Sequence, residues 1–301
     1  MATAVHERVG VVDSGRRRRR APAPAVLGLL PFGAYIAVFL ALPTGIALAS
    51  GFFTADGAMT LDNLSALADP VILSTFWNSI WLSFLTAIIG AVVGAALSYA
   101  MLGFPEGGRA RAIVDAASGV LAQFGGVMLA FAFIATIGLQ GVVTLLLRDA
   151  FGIDIFADGA WIYELPGLVL PYVYFQVPLM VITFLPALAG IKPQWMEATL
   201  TLGGTAGTFW RKVGIPVLAP SFLASFLLLV ANAFSSYATA AALSSQGSSI
   251  VPLQIRTALT SETVLGRENV AGVLALGMIV IMALVMAAYA LVQRRAARWQ
   301  S

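Results

Sequence analysis

Six apolar stretches, at approximately 25–50, 73–102, 112–138, 165–189, 216–243 and 269–293, limit what this chain can fold into. Each meets the length of about 20 residues that a helix needs to cross the hydrocarbon core of a bilayer. Lipid offers the backbone no hydrogen-bond partner, so each stretch has to satisfy its own N–H and C=O groups. The expected fold is all-α: a polytopic membrane bundle of six transmembrane helices. Composition agrees, since only 10% of the 301 residues are charged, where a soluble domain carries about 25%. That length holds one membrane domain, 25–293, between a basic tail, 1–24, and a short tail, 294–301.

Charge placement sets the orientation. With the N-terminus inside and the sides alternating, the inner segments hold Arg8, Arg16 to Arg20, Arg109, Arg111, Lys192, Arg211, Lys212, Arg294, Arg295 and Arg298. The outer segments hold only Arg148, Arg256 and Arg267. This bias puts both termini in the cytoplasm. Asp56, Asp62, Asp69, Asp149, Asp154, Asp158, Glu262 and Glu268 collect outside. The block Arg16 to Arg20 abuts an apolar run, so it reads as an inner-leaflet anchor and not as a nucleic-acid patch. The run that follows is too long for a cleaved signal peptide and shows no convincing Ala-x-Ala site.

Several chemistries are excluded. The chain has no cysteine, which removes disulfides, thiol catalysis and thiolate metal sites. Its one histidine, His6, lies in the polar tail. No nucleophile–base pair or metal-spaced cluster is visible, and no P-loop pattern for nucleotide phosphates.

One polar segment interrupts the apolar pattern: KPQWMEATLTLGGTAGTFWRKVGIPVLAP, Lys192 to Pro220. Pro193 suits the first turn of a helix, where its missing N–H is not needed. Glu197 lies toward the positive end of that helix. Gly203 and Gly204 stop it, and Thr205 can cap a second short helix carrying Phe209, Trp210 and Val213 beside Arg211 and Lys212. Pro216 opens the next span. The expected product is a helix–turn–helix on the inner face, segment 190–215, with exposed aromatic knobs. An interfacial helix pair that only anchors the bundle is the plainer reading. The acidic head and glycine hinge are not lipid-binding features.

The spacing resembles a motif in permease subunits of binding-protein-dependent ABC importers: Glu-Ala-Ala, three residues, Gly, then about a dozen residues to an apolar residue and proline. Here Glu197-Ala198-Thr199 is followed by Gly203, and Ile215-Pro216 closes the pattern. The departures are Thr199 for the second alanine and Gly204 where a small residue is usual. The resemblance covers nearly the whole chain. It implies a type I importer fold in the bacterial inner membrane, with a cytoplasmic coupling helix between helices 4 and 5 seated in an ATPase cleft. It also implies coupling roles for Glu197, Ala198, Gly203, Phe209, Arg211 and Pro216. The partners implied are a second permease, two ABC ATPases holding ATP and Mg, an extracytoplasmic solute-binding protein and the bilayer, with no nucleic acid. No cofactor is expected in this chain. Weaker echoes in TLDNL (Thr60 to Leu64), YFQVPLM (Tyr174 to Met180) and ANAFSSYATA (Ala231 to Ala240) resemble the spermidine/putrescine-type branch. They favour a polyamine-like solute over phosphonate, ferric iron or sugar.

Polar side chains inside membrane helices mark cavities or bind neighbouring helices. Asn78, Gln123, Gln176 and Tyr237 are of this kind. Asn232, Ser235, Ser236 and Thr239 recur at helical spacing and form one expected stripe. With Gln176, beside the kink expected at Pro178, they are the candidate translocation path; helix–helix hydrogen bonding is the other reading. No acidic residue sits mid-membrane, and Asp115 lies at the inner entry of the third span. Other functions for the chain are a secondary carrier, a membrane-embedded enzyme or a membrane anchor. A carrier needs intramembrane ionisable groups and an enzyme needs a reactive constellation.

The topology has a direct check, made clean by the absence of native cysteine. A cysteine placed at Arg148 or Arg256 is expected to react with impermeant thiol reagents from outside only; labelling from the cytoplasmic side alone would overturn the orientation.

Overall fold

The computed structural model describes residues 23–54, 57–105, 107–244, 250–260 and 268–297. The basic block at Arg16 to Arg20, His6, Asp56, Glu262, Arg267 and Arg298 lie outside the described residues. Among the described residues the structure is helices and turns, with one isolated bridge between Phe53 and Met59 and no strand. Six helical segments are long and apolar enough to cross a membrane: Gly28–Ser50, Pro70–Met101, Gly126–Phe151, Leu165–Ala189, Ala206–Ser235 and Asn269–Arg294.

The chain divides into two compact units, Met1–Ile46 and Ala47–Ser301. In the first, α1 (Ala23–Ile36) runs into a π-helical turn, Ala37–Ala41, and helix continues as α2 (Leu42–Ser50). The Leu42 N–H bonds to the Ala37 carbonyl, five residues back, just before Pro43. Widening the helix there eases the proline ring past the preceding turn.

In the second unit, α3 (Pro70–Met101) starts where Asp69 accepts the Val71 N–H at 2.8 Å and Pro70 takes the first turn. Its buried face includes Thr75, Ser79, Ser83, Thr86, Ala87, Gly90, Ala91, Gly94 and Ser98. Small residues at this spacing let a second helix come close. Their hydroxyls do not go unpaired: Ser83, Thr86 and Ser98 each donate to the carbonyl four residues earlier. The helix that approaches is α7 (Val169–Ala189), the most extensive partner of α3. A Cβ at Gly90 would lie 2.7 Å from the Gln176 Cβ. One at Gly94 would lie 2.5 Å from the Met180 Cβ and 2.8 Å from the Val177 carbonyl oxygen.

The third crossing departs from its expected form. The 112–138 stretch is broken at Phe124-Gly125 into α4 (Arg109–Gln123) and α5 (Gly126–Ile137). A short α6 (Val142–Phe151) follows. By hydropathy alone the crossing is Gly126–Phe151. Packing argues for α4 and α5 together: Val114 lies against Val181 and Leu185 at the inner end of α7, and Leu129 and Ala130 pack with Tyr172 and Phe175 at its outer end. Gly126, with φ +72°, makes the break. In the loop between α6 and α7, Trp161–Tyr163 forms a single 3-10 turn.

The remaining elements are α8 (Pro193–Thr201), α9 (Ala206–Phe209), α10 (Ile215–Ser235), α11 (Ala238–Leu243), α12 (Val251–Thr260) and α13 (Glu268–Ala297). α10 packs on α3, α7 and α13. An outer core gathers around Leu82, Leu129, Leu168, Tyr172 and Leu243, and an inner one around Met180, Phe184, Leu188, Leu218 and Leu229. The Ser79 hydroxyl accepts the Val251 N–H at 2.8 Å, tying the start of α12 to α3.

Because backbone stands opposite Gly94, even a methyl there has no room. Gly94→Ala is expected to destabilise the purified protein by about 1–3 kcal/mol. Gly119→Ala, with nothing within 4 Å of the new Cβ, is expected to be neutral or slightly stabilising. Thermal unfolding in detergent reads both; equal melting of the two variants would contradict the packing.

Candidate functional site

The polar segment after α7 folds from local rules. Pro193 takes the first turn of α8, and the helix gives way at Leu202. Gly203 follows with φ +80°, a left-handed conformation that glycine adopts without a side-chain clash. The Gly204 N–H donates to the Thr199 carbonyl at 2.9 Å. The Thr205 hydroxyl accepts the Thr208 N–H at 3.3 Å and caps α9.

Beyond that cap the structure corrects the expectation. α9 is not a separate short helix. It passes through a π-helical turn, Trp210–Gly214, straight into α10, so helix runs from Ala206 to Ser235. The Ile215 N–H bonds to the Trp210 carbonyl, and Pro216 follows at once. This repeats the arrangement before Pro43. Nor are the aromatics exposed knobs: Phe209 is 2% exposed and Trp210 is half-buried. The Trp210 ring stands edge-on to Tyr99 at 5.5 Å and to Phe209 at 5.4 Å. A Cβ at Gly214 would meet that ring at 2.5 Å, so glycine is needed there. Tyr99 lies at the inner end of α3. The turn is therefore locked to α3 by aromatic packing and to α10 by continuous helix.

The apolar side chains that do face outward are Trp195, Leu200 and Leu202, the last 87% exposed. They share the surface with Glu197, Ala198, Arg211, Lys212 and Pro216, all exposed. Sequence reasoning missed the two leucines, although their place directly before the Gly203 stop was the available signal. The two departures from the family motif meet in space: a Cβ at Gly204 would lie 2.8 Å from the Thr199 Cγ2 and 2.8 Å from its carbonyl oxygen.

The expected polar stripe is divided. α10 ends at Ser235, and Ser236 is extended, with φ −72° and ψ 109°. Asn232 and Ser235 are exposed on α10. The Ser236 carbonyl accepts the Tyr172 hydroxyl at 2.8 Å, and Thr239, fully buried in α11, accepts the Gly126 N–H at 2.9 Å. Gln176 is also fully buried: its Nε2 donates to the Thr86 hydroxyl at 2.7 Å, and its Oε1 is buried without a partner among the described residues. These three residues bind elements to one another, while Asn232 and Ser235 remain on a free face of the described structure. No group of three or more His, Asp or Glu among the described residues could hold a metal ion.

No family model matches the sequence. Over 262 residues the chain is 26% identical to a probable ABC transporter permease protein of Sinorhizobium fredii (strain NBRC 101917 / NGR234). That match covers 86% of this chain, which spans 44% of the relative's length. A chain of a bacterial alginate ABC transporter, solved with an alginate pentasaccharide-bound periplasmic protein, superposes with a TM-score of 0.72 at 16% identity. The superposition covers 90% of this chain and 94% of that one. A chain of the MetNI methionine ABC transporter in an inward-facing conformation gives 0.55 at 15% identity, over 75% of this chain and 96% of that one. The fold is thus that of ABC importer membrane chains. With its six apolar helices, the protein is a multi-pass protein of the bacterial inner membrane.

The contact between Thr199 and Gly204 can be measured. Gly204→Ala is expected to destabilise the protein, and Thr199→Ala in the same chain to recover part of the loss. Thermal unfolding of the two singles and the double should give a coupling of about 0.5–3 kcal/mol; strict additivity would contradict the contact.

Proposed function

We propose that this chain is the permease subunit of a binding-protein-dependent ABC importer. It forms a solute path and couples that path to ATP hydrolysis in a partner ATPase, which holds the ATP and Mg. A second permease, a second ATPase and an extracytoplasmic solute-binding protein complete the assembly. One observation carries the reading. An exposed turn bearing Glu197, Leu200 and Leu202 is built onto a helix that runs unbroken from Ala206 to Ser235. A protein seated on that turn would move the α10 face that presents Asn232 and Ser235, the proposed path residues. An ion-coupled carrier is less well supported, because α3, α7 and α10 contain no Asp, Glu, Lys or Arg. An inert anchor leaves the locked turn without a purpose.

The likeness to alginate and methionine transporters supports the fold and not a solute. The case for a polyamine rests on the sequence echoes alone, and α3, α7 and α10, which carry no carboxylate, offer a polycation no counter-charge.

Leu202→Asp and Glu197→Lys change exposed side chains, so membrane insertion is expected to persist. Co-purification with the ATPase and solute uptake should each fall by about tenfold or more, as for residues central to an interface. Normal association and uptake in both variants would refute the docking role.

A further inference from the structure

A cavity of about 520 Å³ opens between the inner halves of α7, α10 and α13. We propose that it is the inner part of the solute path and takes an uncharged, hydroxyl- or amide-bearing solute of the polyol or sugar type. This rests on the importer reading and adds the solute class to it.

The walls are unusual for a membrane groove. Thr183, Ser221, Ser225, Tyr289 and Gln293 all line the cavity. Membrane hydroxyls elsewhere, and that of Thr183 in the wall, are consumed by their own helix: those of Ser83, Thr86, Ser98, Thr183 and Ser235 donate to a carbonyl four residues earlier. Ser221 and Ser225 have no such bond among the described residues, although Ser225 is only 5% exposed. Tyr289 accepts the Gln293 amide at 2.6 Å, which leaves its own O–H to donate. Pro220 lacks the N–H that would bond the Pro216 carbonyl, so an acceptor is freed on the same helix. Uncommitted polar groups at membrane depth belong to a water-filled or solute-filled space.

Position gives the second argument. Ser221, Ser225, Leu228, Asn232 and Ser235 are spaced 4, 3, 4 and 3 apart along α10 and share one helix face. The cavity therefore lies along the face that presents Asn232 and Ser235 farther out. In the inward direction, a second cavity of about 610 Å³ shares Pro186, Ala187, Pro220 and Ser221 and extends to Trp195 and Lys212. The two together lead from the membrane toward the coupling turn.

The lining also selects. It contains hydroxyls, an amide and no Asp, Glu, Lys or Arg. A charge placed there would lose its water without gaining a counter-charge, and a cation would meet Lys212 at the inner mouth. This argues against the polyamine class and for a neutral solute.

The test uses the full chain with its native partners in inside-out membrane vesicles. Ser225→Cys is treated with a neutral hydroxyethyl or a cationic trimethylammonium-ethyl thiosulfonate, and rates are normalised to Ala110→Cys on the exposed first turn of α4. Ser225→Cys is expected to react with the neutral reagent at least about tenfold faster than with the cationic one. A thiol inert to both reagents would mean a dry or lipid-filled groove and would overturn the proposal. An equal or faster cationic rate would overturn the solute class. If Ser225→Cys fails to accumulate, Ser221→Cys, at the border of both cavities, is read by the same criteria. ATPase co-purification is scored on the same vesicles. Its failure would count against the importer reading, while the labelling result would still stand for the cavity.

Discussion

The close approach of α3 and α7 is the constraint on which the rest of this bundle depends. In lipid there is little hydrophobic gain in bringing two apolar helices together, so association rests on packing and on polar contacts between helices. Gly90 and Gly94 remove the side chains that would hold the helices apart, and Gln176 then reaches Thr86 across the seam. α4 and α10 pack against this pair, and α13 packs on α10. The same pair holds the elements that function needs. Tyr172 on α7 fixes the break after α10, and Tyr99 on α3 meets Trp210 at the base of the polar turn.

In the proposed function that turn is a lever, and it is joined at two points. Backbone continuity through the π turn carries it into α10, and aromatic packing carries it into α3. The wide turn reconciles conflicting local demands. Pro216 disturbs a regular α-helix at the turn before it. The Trp210 ring needs room that only Gly214 allows. A five-residue hydrogen-bonded ring accommodates both without a hinge. The segment proposed to dock a partner is thus joined, across Gly203-Gly204, to the helix that lines the proposed path.

Much of this was legible in the sequence. Pro193, Gly203 and Thr205 act through backbone geometry within a few residues, so the start, stop and cap of the segment could be read directly. The membrane helices were legible as apolar length, although the third and fifth stretches break at Phe124-Gly125 and at Ser236. Other features depended on tertiary contacts that no local pattern reports. Phe209 and Trp210 looked like exposed knobs because a polar segment surrounds them, yet Tyr99, more than a hundred residues earlier, covers Trp210. The stripe from Asn232 to Thr239 has helical spacing, but the corner at Ser236, bonded to Tyr172, divides it. Gln176 reads equally as a path residue or as glue until its bond to Thr86 is seen. The polar cavity between α7, α10 and α13 joins residues from three helices, and nothing in their separate patterns brings them together.

The central claim is that the polar turn and the inner end of α3 move as one body. Spin labels at Thr201 and Leu102, both exposed in a chain without cysteine, measure this in the proposed assembly. The account expects a narrow distance distribution that stays the same without nucleotide, with ATP bound and after hydrolysis. An ATP-dependent shift of about 5 Å, one helical turn, or a broad distribution in any state would show that the turn slides over α3, and would contradict the lever.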